Sequence, residues 1–336
     1  MIAPELADAF RGRRVVISGG LGFIGSNLAI ELVAAGADVL LLDALVPEHG
    51  GNRFNVRPVE RRLEVEVVDL RDVARLRPLL RGCDVLFNLA GQTSHLDSMR
   101  DPFTDLEHNC RAPLAALEAC RHESPGARIV FAGTRQIYGR PRYLPVDERH
   151  PIDPVDVNGV NKIAGEHYHL LYGNVYEIPV TVLRLTNTYG PRMRVRDARQ
   201  TFLGVWLRAV ARGERFQLWG DGTQLRDFTY VDDAVRAFLL AASRAEAVGE
   251  TFNVGGDPVT LEDVARLLAE IDPGASYELV PFPDDRRAID VGHYYADWTK
   301  IRERLGWQPR VDLREGLERS LAYYREHGDV YWAAAA

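Results

Sequence analysis

The sequence predicts a doubly wound α/β fold, in which helices cover both faces of a parallel sheet, together with a smaller C-terminal α/β lobe. Three observations favour this fold class. Short apolar segments alternate with helical patterns up to about residue 185, a glycine-rich turn follows the first apolar segment, and the alternation then breaks down. Strand–helix alternation is typical of parallel sheets, because a parallel connection needs a crossover.

The predicted strands are short segments rich in Val, Ile and Leu, as expected for strands that are buried on both faces. They cover residues 15–17, 39–42, 65–68, 85–89, 129–131 and 180–185. The helical patterns cover residues 23–35, 73–80, 103–121 and 158–174. Gly36 directly follows the first of these patterns and Gly82 lies two residues after the second, where a helix commonly ends.

The second half of the chain has a less regular pattern that predicts the smaller lobe. Pro258, Pro273 and Pro281 interrupt short elements there, whereas a helix over 231–243 and a strand over 250–254 have the pattern of elements that return to the main sheet. We therefore predict a cofactor domain of residues 1–186 plus about 226–255, and a substrate lobe of residues 187–225 plus 256–330.

Composition argues against several classes of protein. The chain has 336 residues with 41 Lys and Arg against 48 Asp and Glu, so its net charge of −7 argues against nucleic-acid binding. The longest uncharged run, residues 15–30, is shorter than a membrane helix of about 20 residues, and the first 14 residues lack a signal-peptide pattern. Cys83, Cys110 and Cys120 lack metal-site spacing, which favours a reduced cytoplasmic protein without a metal.

The glycine-rich turn predicts a dinucleotide site. Gly19, Gly22 and Gly25 lie between the first strand and a helix that begins with Phe23 and Ile24. Glycines allow a tight turn and let the backbone approach a pyrophosphate at the positive end of the helix. Asp43 ends the second strand, where a carboxylate accepts the ribose hydroxyls of NAD and repels the 2′-phosphate of NADP. NAD is the predicted cofactor.

These residues resemble the extended short-chain dehydrogenase/reductase superfamily, and more narrowly its nucleotide-sugar epimerase/dehydratase branch. The resemblance includes Asp69-Leu70 after the third strand and Asn88-Leu89-Ala90-Gly91 after the fourth, and it extends to about residue 309. It implies a Rossmann cofactor domain in which Asp69 and Leu70 border the adenine. Leu89, Ala90 and Gly91 would lie near the phosphates and ribose. It also implies a homodimer formed by the helices over 103–121 and 158–174.

The catalytic residues of that family are matched only in part. The family has a Ser or Thr after the fifth strand and a Tyr-x-x-x-Lys on the next long helix; here Thr134 and Lys162 match, but Asn158 occupies the Tyr position. Lys162 is one of only two lysines in the chain. Asparagine cannot accept a proton at neutral pH. The alternatives for the general base are Lys162 itself, Tyr138, His95, or a substrate that supplies its own acidity.

A second departure concerns the residue that relatives use for elimination. Gln136 stands where relatives that eliminate water or carbon dioxide have an acidic residue, two positions before the Tyr138 turn. A glutamine cannot donate a proton as an acid does. This departure disfavours a dehydratase. Epimerisation stays the predicted reaction, because it needs the fewest catalytic groups beyond the cofactor.

The resemblance also assigns residues to the substrate. Leu185 would lie near the nicotinamide, Asn187 near the substrate pyrophosphate, and His95 and Thr134 beside the sugar. The remaining assigned residues contact the nucleoside base, phosphates and ribose, and they are Leu218, Trp219, Arg226, Arg287 and Asp290. Two arginines suit a diphosphate, because a planar guanidinium binds phosphate oxygens in a bidentate manner. The arginine-rich run 192–199 is either a solvated loop or a lid that recognises an anionic sugar.

The sequence therefore predicts an NAD-dependent enzyme that epimerises a UDP- or other NDP-sugar. In this mechanism a sugar hydroxyl is oxidised to a keto-sugar and the hydride returns to the other face. The alternatives within the family are a decarboxylase, a dehydratase or a reductase of nucleotide sugars. A catalytically silent protein that binds NAD or nucleotide sugars is the alternative from another class, because Asn158 replaces the usual Tyr.

Overall fold

A computed structural model describes residues 4–199 and 201–332. The strands are β1 (Arg14–Ser18), β2 (Asp38–Asp43), β3 (Glu64–Val67), β4 (Val85–Asn88), β5 (Arg128–Thr134), β6 (Val180–Leu185), β7 (Asn187–Tyr189), β8 (Phe216–Trp219), β9 (Leu225–Tyr230), β10 (Thr251–Val254), β11 (Pro258–Thr260) and β12 (Tyr277–Val280).

The α-helices carry both the crossovers and the smaller lobe. They are α1 (Pro4–Asp8), α2 (Phe23–Ala34), α3 (Val73–Leu80), α4 (His95–Arg100), α5 (Pro102–Leu106), α6 (Ala112–Glu123), α7 (Val157–Tyr176), α8 (Phe202–Ala211), α9 (Val231–Ser243), α10 (Leu261–Ile271), α11 (Asp284–Arg287), α12 (Thr299–Leu305), α13 (Leu313–His327) and α14 (Asp329–Trp332). Short 3₁₀ turns cover Arg53–Val56, Glu60–Arg62, Arg135–Tyr138 and Ala245–Ala247, and a π-helical turn covers Glu107–Arg111.

The main sheet has seven parallel strands in the order β10–β6–β5–β4–β1–β2–β3. The direction of winding reverses between β1 and β4, and in a sheet of this kind ligands bind outside the carboxyl ends of the strands at that point. The predicted doubly wound α/β fold is therefore confirmed. The strand predicted over 250–254 does return to this sheet, where β10 pairs with β6.

Two small sheets lie outside the main one. β7, β9 and β11 form a three-stranded sheet, and β8 pairs with β12. β9 therefore belongs to the small sheet, although α9, which directly follows it, packs on β5 and β6 of the main sheet. The chain thus passes between the two regions several times, and the division into two domains stays a prediction.

Apolar side chains from both faces of the main sheet explain why it forms. Val15 and Ile17 of β1 pack in one buried cluster, which extends through α2 and α9, while Val16 packs in a second cluster with α3 and α6 on the other face. Burial on both faces accounts for the continuous apolar pattern of the strands. This packing holds the ends of β1, β4 and β5 in fixed positions around the cleft described below.

The helix predicted over 103–121 is interrupted in the structure. It consists of α5, the π-helical turn Glu107–Arg111, and α6. Pro113 is near the start of α6 and has no backbone N–H to donate, which disturbs the regular hydrogen-bond pattern before it. The helix predicted over 158–174 begins at Val157, where the Asp156 side chain accepts a hydrogen bond from Gly159 N. The π-helical turn and the start of α7 both place polar side chains beside the cleft described below.

The described residues contain no helix that is both long and apolar enough to cross a membrane. Within the same residues, no group of His, Cys, Asp and Glu has an arrangement suited to a metal ion. Cys83, Cys110 and Cys120 are all free thiols.

Candidate active site

The glycine-rich turn forms one wall of a cleft at the carboxyl ends of the strands. Gly19 has φ +68°, a conformation that side chains rarely adopt, and a Cβ at Gly25 would lie 2.3 Å from Gly19 O. The turn therefore packs directly against the first turn of α2. No acidic residue lies in that first turn, and Gly22 provides no side-chain cap. The positive end of the helix is thus available to an anion.

Asp43 lies at the end of β2 on the adjacent side of this cleft. Its carboxylate accepts hydrogen bonds from Leu21 N at 3.1 Å and from Leu45 N at 2.9 Å. Burial raises the pKa of Asp43 despite these two bonds. The carboxylate is thereby fixed beside the turn, where it suits ribose hydroxyls.

All residues that were predicted to contact the cofactor line this one cleft. They are Gly19, Gly22, Phe23, Ile24, Gly25, Asp43, Asp69, Leu70, Leu89, Ala90, Gly91, Lys162 and Leu185. Asp69 is held by Arg71, whose guanidinium also contacts Glu107 at 3.2 Å. The glycine turn, the available helix end and the carboxylate of Asp43 together fit a dinucleotide.

Lys162 is a buried cation at the floor of the cleft. It is 7% exposed, and its Nζ lies 5.7 Å from the centre of the Phe131 ring. Burial lowers the pKa of Lys162 to about 8, and the negative charge of Asp105 partly opposes this shift. A Cβ at Gly91 would lie 2.7 Å from Nζ, so this glycine provides the space for the ammonium.

Asn158, at the position of the family tyrosine, belongs to a buried network of amides. Its Nδ2 donates to Asp105 Oδ2 at 3.1 Å and to the Gln92 carbonyl at 2.9 Å. Asp105 also accepts from Asn109 at 3.0 Å and from Asn161 at 2.8 Å. These three amide donors satisfy the buried carboxylate, as a buried charge requires. Asn158 therefore helps to hold the counter-charge of Lys162.

Thr134, Gln136 and His95 also line the cleft. Thr134 Oγ1 accepts from Gln136 N at 3.2 Å, and Gln136 Nε2 donates to Asp156 Oδ2 at 2.9 Å. His95 Nδ1 lies 2.9 Å from the same carboxylate oxygen. Burial opposes the ionisation of Asp156, but the contacts with His95, Gly159 N and Gln136 outweigh it and lower the pKa.

The structure does not bring Tyr138 into the cleft. Its ring is fully buried, its OH donates to Asn253 Oδ1 at 2.8 Å, and it accepts from Arg184 at 2.6 Å. Burial raises the pKa of Tyr138 to about 12. The hydroxyl therefore supports the packing of β5, β6 and β10. Tyr138 lies too far from the cleft to act as the general base, so that alternative is wrong.

A second cavity of about 680 Å³ lies next to the cleft. Its walls combine aromatic side chains with arginines, and Trp219, Arg226 and Asp290 are among them, as predicted. Arg226 is 6% exposed and lies 3.7 Å from Asp290. Burial and the nearby Arg135 lower the pKa of Arg226 to about 10, so this guanidinium stays charged at neutral pH.

Two predicted substrate residues lie elsewhere. Leu218 is fully buried because it alternates with Trp219 on β8, so it points away from the cavity. Arg287 is largely exposed and pairs with Asp284 at 3.0 Å. Its neighbour Arg286 lines the cavity instead, with its guanidinium 4.5 Å from the centre of the Trp219 ring. The family resemblance covers both Arg286 and Arg287 and favours Arg287, whereas the structure places Arg286 at the cavity.

The arginine-rich run 192–199 is mostly anchored to the protein. Arg192 donates to Asn27 and to the Asn55 carbonyl, and Arg194 pairs with Asp197 at 2.5 Å. Of the four arginines in the run, only Arg199 lines the second cavity, and it pairs with Asp97 at 2.7 Å. These contacts favour the interpretation as an ordered loop over that of an anion-binding lid.

The cleft and the second cavity meet along a shared boundary. The residues that line both are His95, Arg135, Gln136, Asn187 and Thr201. A hydride acceptor in the cleft and a ligand in the second cavity would meet at this junction. Arg135, Asp105 and Asp156 were not predicted as site residues, since nothing in their local sequence shows what lies opposite them.

The family model for the NAD dependent epimerase/dehydratase family matches residues 15–255. This chain belongs to that family. It is therefore an NAD-dependent enzyme of the nucleotide-sugar branch of the extended short-chain dehydrogenases/reductases. The predicted family, enzyme class and cofactor are thereby confirmed, and the catalytically silent alternative is not favoured.

Individual relatives of this epimerase/dehydratase-family enzyme match over nearly the whole chain. A putative UDP-glucose 4-epimerase of Methanocaldococcus jannaschii is 31% identical over 93% of this chain and 99% of the relative. The solved structure of an epimerase from Methanothermobacter thermautotrophicus has a TM-score of 0.90 at 28% identity, covering 97% and 96% of the two chains. A UDP-glucose 4-epimerase from Thermotoga maritima, solved with UDP-glucose, has a TM-score of 0.84 at 30% identity, covering 94% and 99%.

Proposed function

We propose that this enzyme epimerises a UDP-sugar or another NDP-sugar by transient oxidation to a keto-sugar. One observation carries the proposal: the cofactor cleft and the arginine-lined cavity meet at a single junction formed by His95, Arg135, Gln136, Asn187 and Thr201. A nucleotide sugar whose nucleoside and diphosphate occupy the cavity would extend its sugar towards the nicotinamide. The similarity to UDP-glucose 4-epimerases supports the same chemistry.

The chemistry of the second cavity suits a nucleoside diphosphate. Trp219 provides a planar surface, and Arg286 and Arg226 provide two guanidinium groups within one cavity. Stacked aromatic and bidentate arginine contacts are the usual means of binding a base and a diphosphate. Asn187 lies at the junction, where its amide donates to the Asp227 carbonyl at 2.9 Å. The cavity thus supports a nucleoside diphosphate as the substrate class.

The site offers less support for the other reactions of the family. Elimination of water needs an acid beside the sugar, and Gln136 is committed to Asp156 at that position. Epimerisation by oxidation and reduction needs only a hydride acceptor and a group that takes and returns one proton. This difference favours an epimerase over a dehydratase.

Incubation of the purified enzyme with NAD+ and a panel of UDP-, dTDP-, GDP- and CDP-sugars tests the proposal. We expect one substrate to yield its stereoisomer by NMR, with a brief rise in absorbance at the NADH band. A Lys162→Met enzyme is the inactive control. Release of carbon dioxide or water from the sugar would overturn the assignment in favour of a decarboxylase or dehydratase, and absence of any product across the panel would reject it.

Neighbouring arginines provide a matched test of the second cavity. We expect Arg286→Ala to raise the KM for the nucleotide sugar about 10- to 100-fold, the range for loss of a hydrogen bond to a charged group. Arg287→Ala removes the same side chain one residue away, where it is exposed and paired with Asp284, and we expect about a twofold change at most. A larger effect at Arg287 than at Arg286 would show that the assignment is reversed.

We also propose that the enzyme is a cytoplasmic homodimer. Apolar side chains on the outer faces of α5 and α7 are exposed, including Phe103, Val160, Leu171 and Val175. Contiguous exposed apolar surface of this kind is typical of an interface between protein chains. A monomeric mass in analytical ultracentrifugation would contradict the dimer. Cell fractionation that recovers the enzyme outside the cytoplasm would contradict the location.

A further inference from the structure

The structure raises a specific question about the proton. Oxidation of a sugar hydroxyl needs an acceptor for that proton, and the residue at the family's tyrosine position is Asn158, whose amide is bonded to Asp105 and Gln92. Tyr138 lies in the core, away from the cleft. Among the residues that line both the cleft and the second cavity, His95 is the one with an imidazole, the side chain used most often for general acid–base catalysis.

We propose that His95 is the catalytic acid–base of this enzyme, and that Asp156 is the positioning residue that orients it. This inference rests on the proposed function. The family uses a tyrosine for this proton transfer. Here a histidine from α4 and an aspartate at the start of α7 would carry it out together.

The geometry of Asp156 supports this role. Its side chain is fully buried, Oδ1 accepts from Gly159 N at 2.7 Å, and Oδ2 accepts from Gln136 Nε2 at 2.9 Å. The carboxylate is therefore held rigidly, with Oδ2 2.9 Å from His95 Nδ1. The contact is an ion-pair distance whose angle falls outside that of a hydrogen bond. The attraction of the carboxylate still favours the tautomer that carries its proton on Nδ1 and leaves Nε2 to accept another.

The backbone of His95 is held in place as well. Its carbonyl accepts from Ser98 Oγ at 2.7 Å, and Ser98 Oγ in turn accepts from Asn158 N at 3.2 Å. The short helix α4 is thereby attached to α7, the helix that carries Lys162. The imidazole is 40% exposed towards the cavities, and within residues 4–199 and 201–332 its Nε2 has no hydrogen-bond partner.

The proposed step balances in protons and electrons. The sugar O–H and C–H bonds at one carbon break and a C=O bond forms, with the proton passing to His95 Nε2. NAD+, which the glycine turn and Asp43 would hold in the cleft, would supply the hydride acceptor and the later hydride donor. His95 then gives the proton back to the sugar oxygen, so the enzyme ends in its starting state. The imidazolium formed in between is stabilised by Asp156, as the carboxylate of a catalytic triad stabilises its histidine.

Charged groups that share the second cavity with the imidazole include Arg135, Asp97, Arg100 and Arg199, and Asp156 contacts the ring itself. Asp156 lies at the start of α7, Arg135 follows β5, and Asp97 lies in α4 itself, paired with Arg199. Asp156 is the carboxylate in direct contact with the ring. Its removal should therefore make the protonated imidazole less favourable.

His95→Gln and Asp156→Asn test the pair through kcat and its dependence on pH. We expect His95→Gln to lower kcat about 100- to 10,000-fold with a small change in KM, the usual range for loss of a general base. Asp156→Asn keeps an oxygen to cap α7, and we expect it to lower kcat and to move the acid limb of the pH–rate profile down by about one pH unit. Added imidazole should partly restore a His95→Gly enzyme.

Other outcomes separate this proposal from the proposed function. If the wild-type enzyme produces a stereoisomer and His95→Gln changes only KM, His95 merely binds substrate and the proposal is overturned. ¹⁵N NMR of the histidine rings in the enzyme without substrate gives a readout that needs no turnover. We expect the Nδ1–H tautomer at His95, with loss of this preference in Asp156→Ser, which retains the helix cap. An Nε2–H tautomer in the wild type would overturn the pair even if no substrate had been found.

Discussion

Lys162→Met should abolish turnover while making the folded protein more stable. The lysine is 7% exposed, and its burial lowers the pKa from 10.5 to about 8. A shift of this size corresponds to a cost of about 3 kcal/mol for keeping the ammonium in the fold at pH 7. Methionine has a similar length and needs no solvation. We therefore expect the free energy of unfolding to rise, by at most about 3 kcal/mol, as kcat falls by at least about 100-fold.

The sign of the pH dependence follows from the same shift. Between pH 8 and 10.5 the unfolded chain binds more protons at this lysine than the folded one does, so the stability of the wild type rises with pH in that window. Below pH 8 the cost is present in full. The Lys162→Met enzyme should lack this dependence. Urea titrations of both proteins at pH 7 and pH 9.5 measure the difference, and a variant less stable than the wild type at pH 7 would contradict the prediction.

Gly25→Ala should remove NAD binding and destabilise the fold. A Cβ at this position would lie 2.3 Å from Gly19 O and 2.9 Å from Gly20 Cα, both of which are backbone atoms. Real side chains do not tolerate such contacts, so the turn must move away from α2. We expect a loss of at least about 2 kcal/mol in unfolding free energy, as for other overpacked sites. We also expect a large increase in the Kd for NAD+.

Gly126→Ala is the matched control for that substitution. Gly126 lies in the loop between α6 and β5, has no positive φ, and a Cβ there would have no heavy atom within 4 Å. We expect stability and NAD+ affinity close to those of the wild type. Thermal unfolding and calorimetric titration with NAD+ distinguish the two proteins. If both variants bound NAD+ normally, the turn would not be the pyrophosphate site.

Some site residues could be predicted from local sequence patterns, and others could not. Gly19, Gly25, Asp43 and Lys162 occupy fixed offsets from strand and helix boundaries, so local pattern was sufficient to bring them to one cleft. The pair Arg286 and Arg287 shows the limit of this approach. Both have the same chemistry, and only the start of the short helix α11 decides which one faces Trp219.

Tyr138 shows a different limit. The sequence leaves Tyr138 open as an alternative for the general base, but the 3₁₀ turn over Arg135–Tyr138 turns its ring into the core, against Asn253 and Arg184. The direction of a side chain after a strand depends on the packing of distant elements. Local sequence does not contain that information.

The sequence by itself determined the parallel α/β fold, the dinucleotide turn, the preference for NAD and the absence of tyrosine at position 158. These features depend on periodicity and spacing within short segments of the chain. Only the tertiary structure brought together His95 and Asp156, the pair that we propose takes over the role of the missing tyrosine. His95 and Asp156 are 61 residues apart, yet they approach within 2.9 Å because α4 attaches to the start of α7. Contacts between distant segments follow from packing, and a single sequence does not display them.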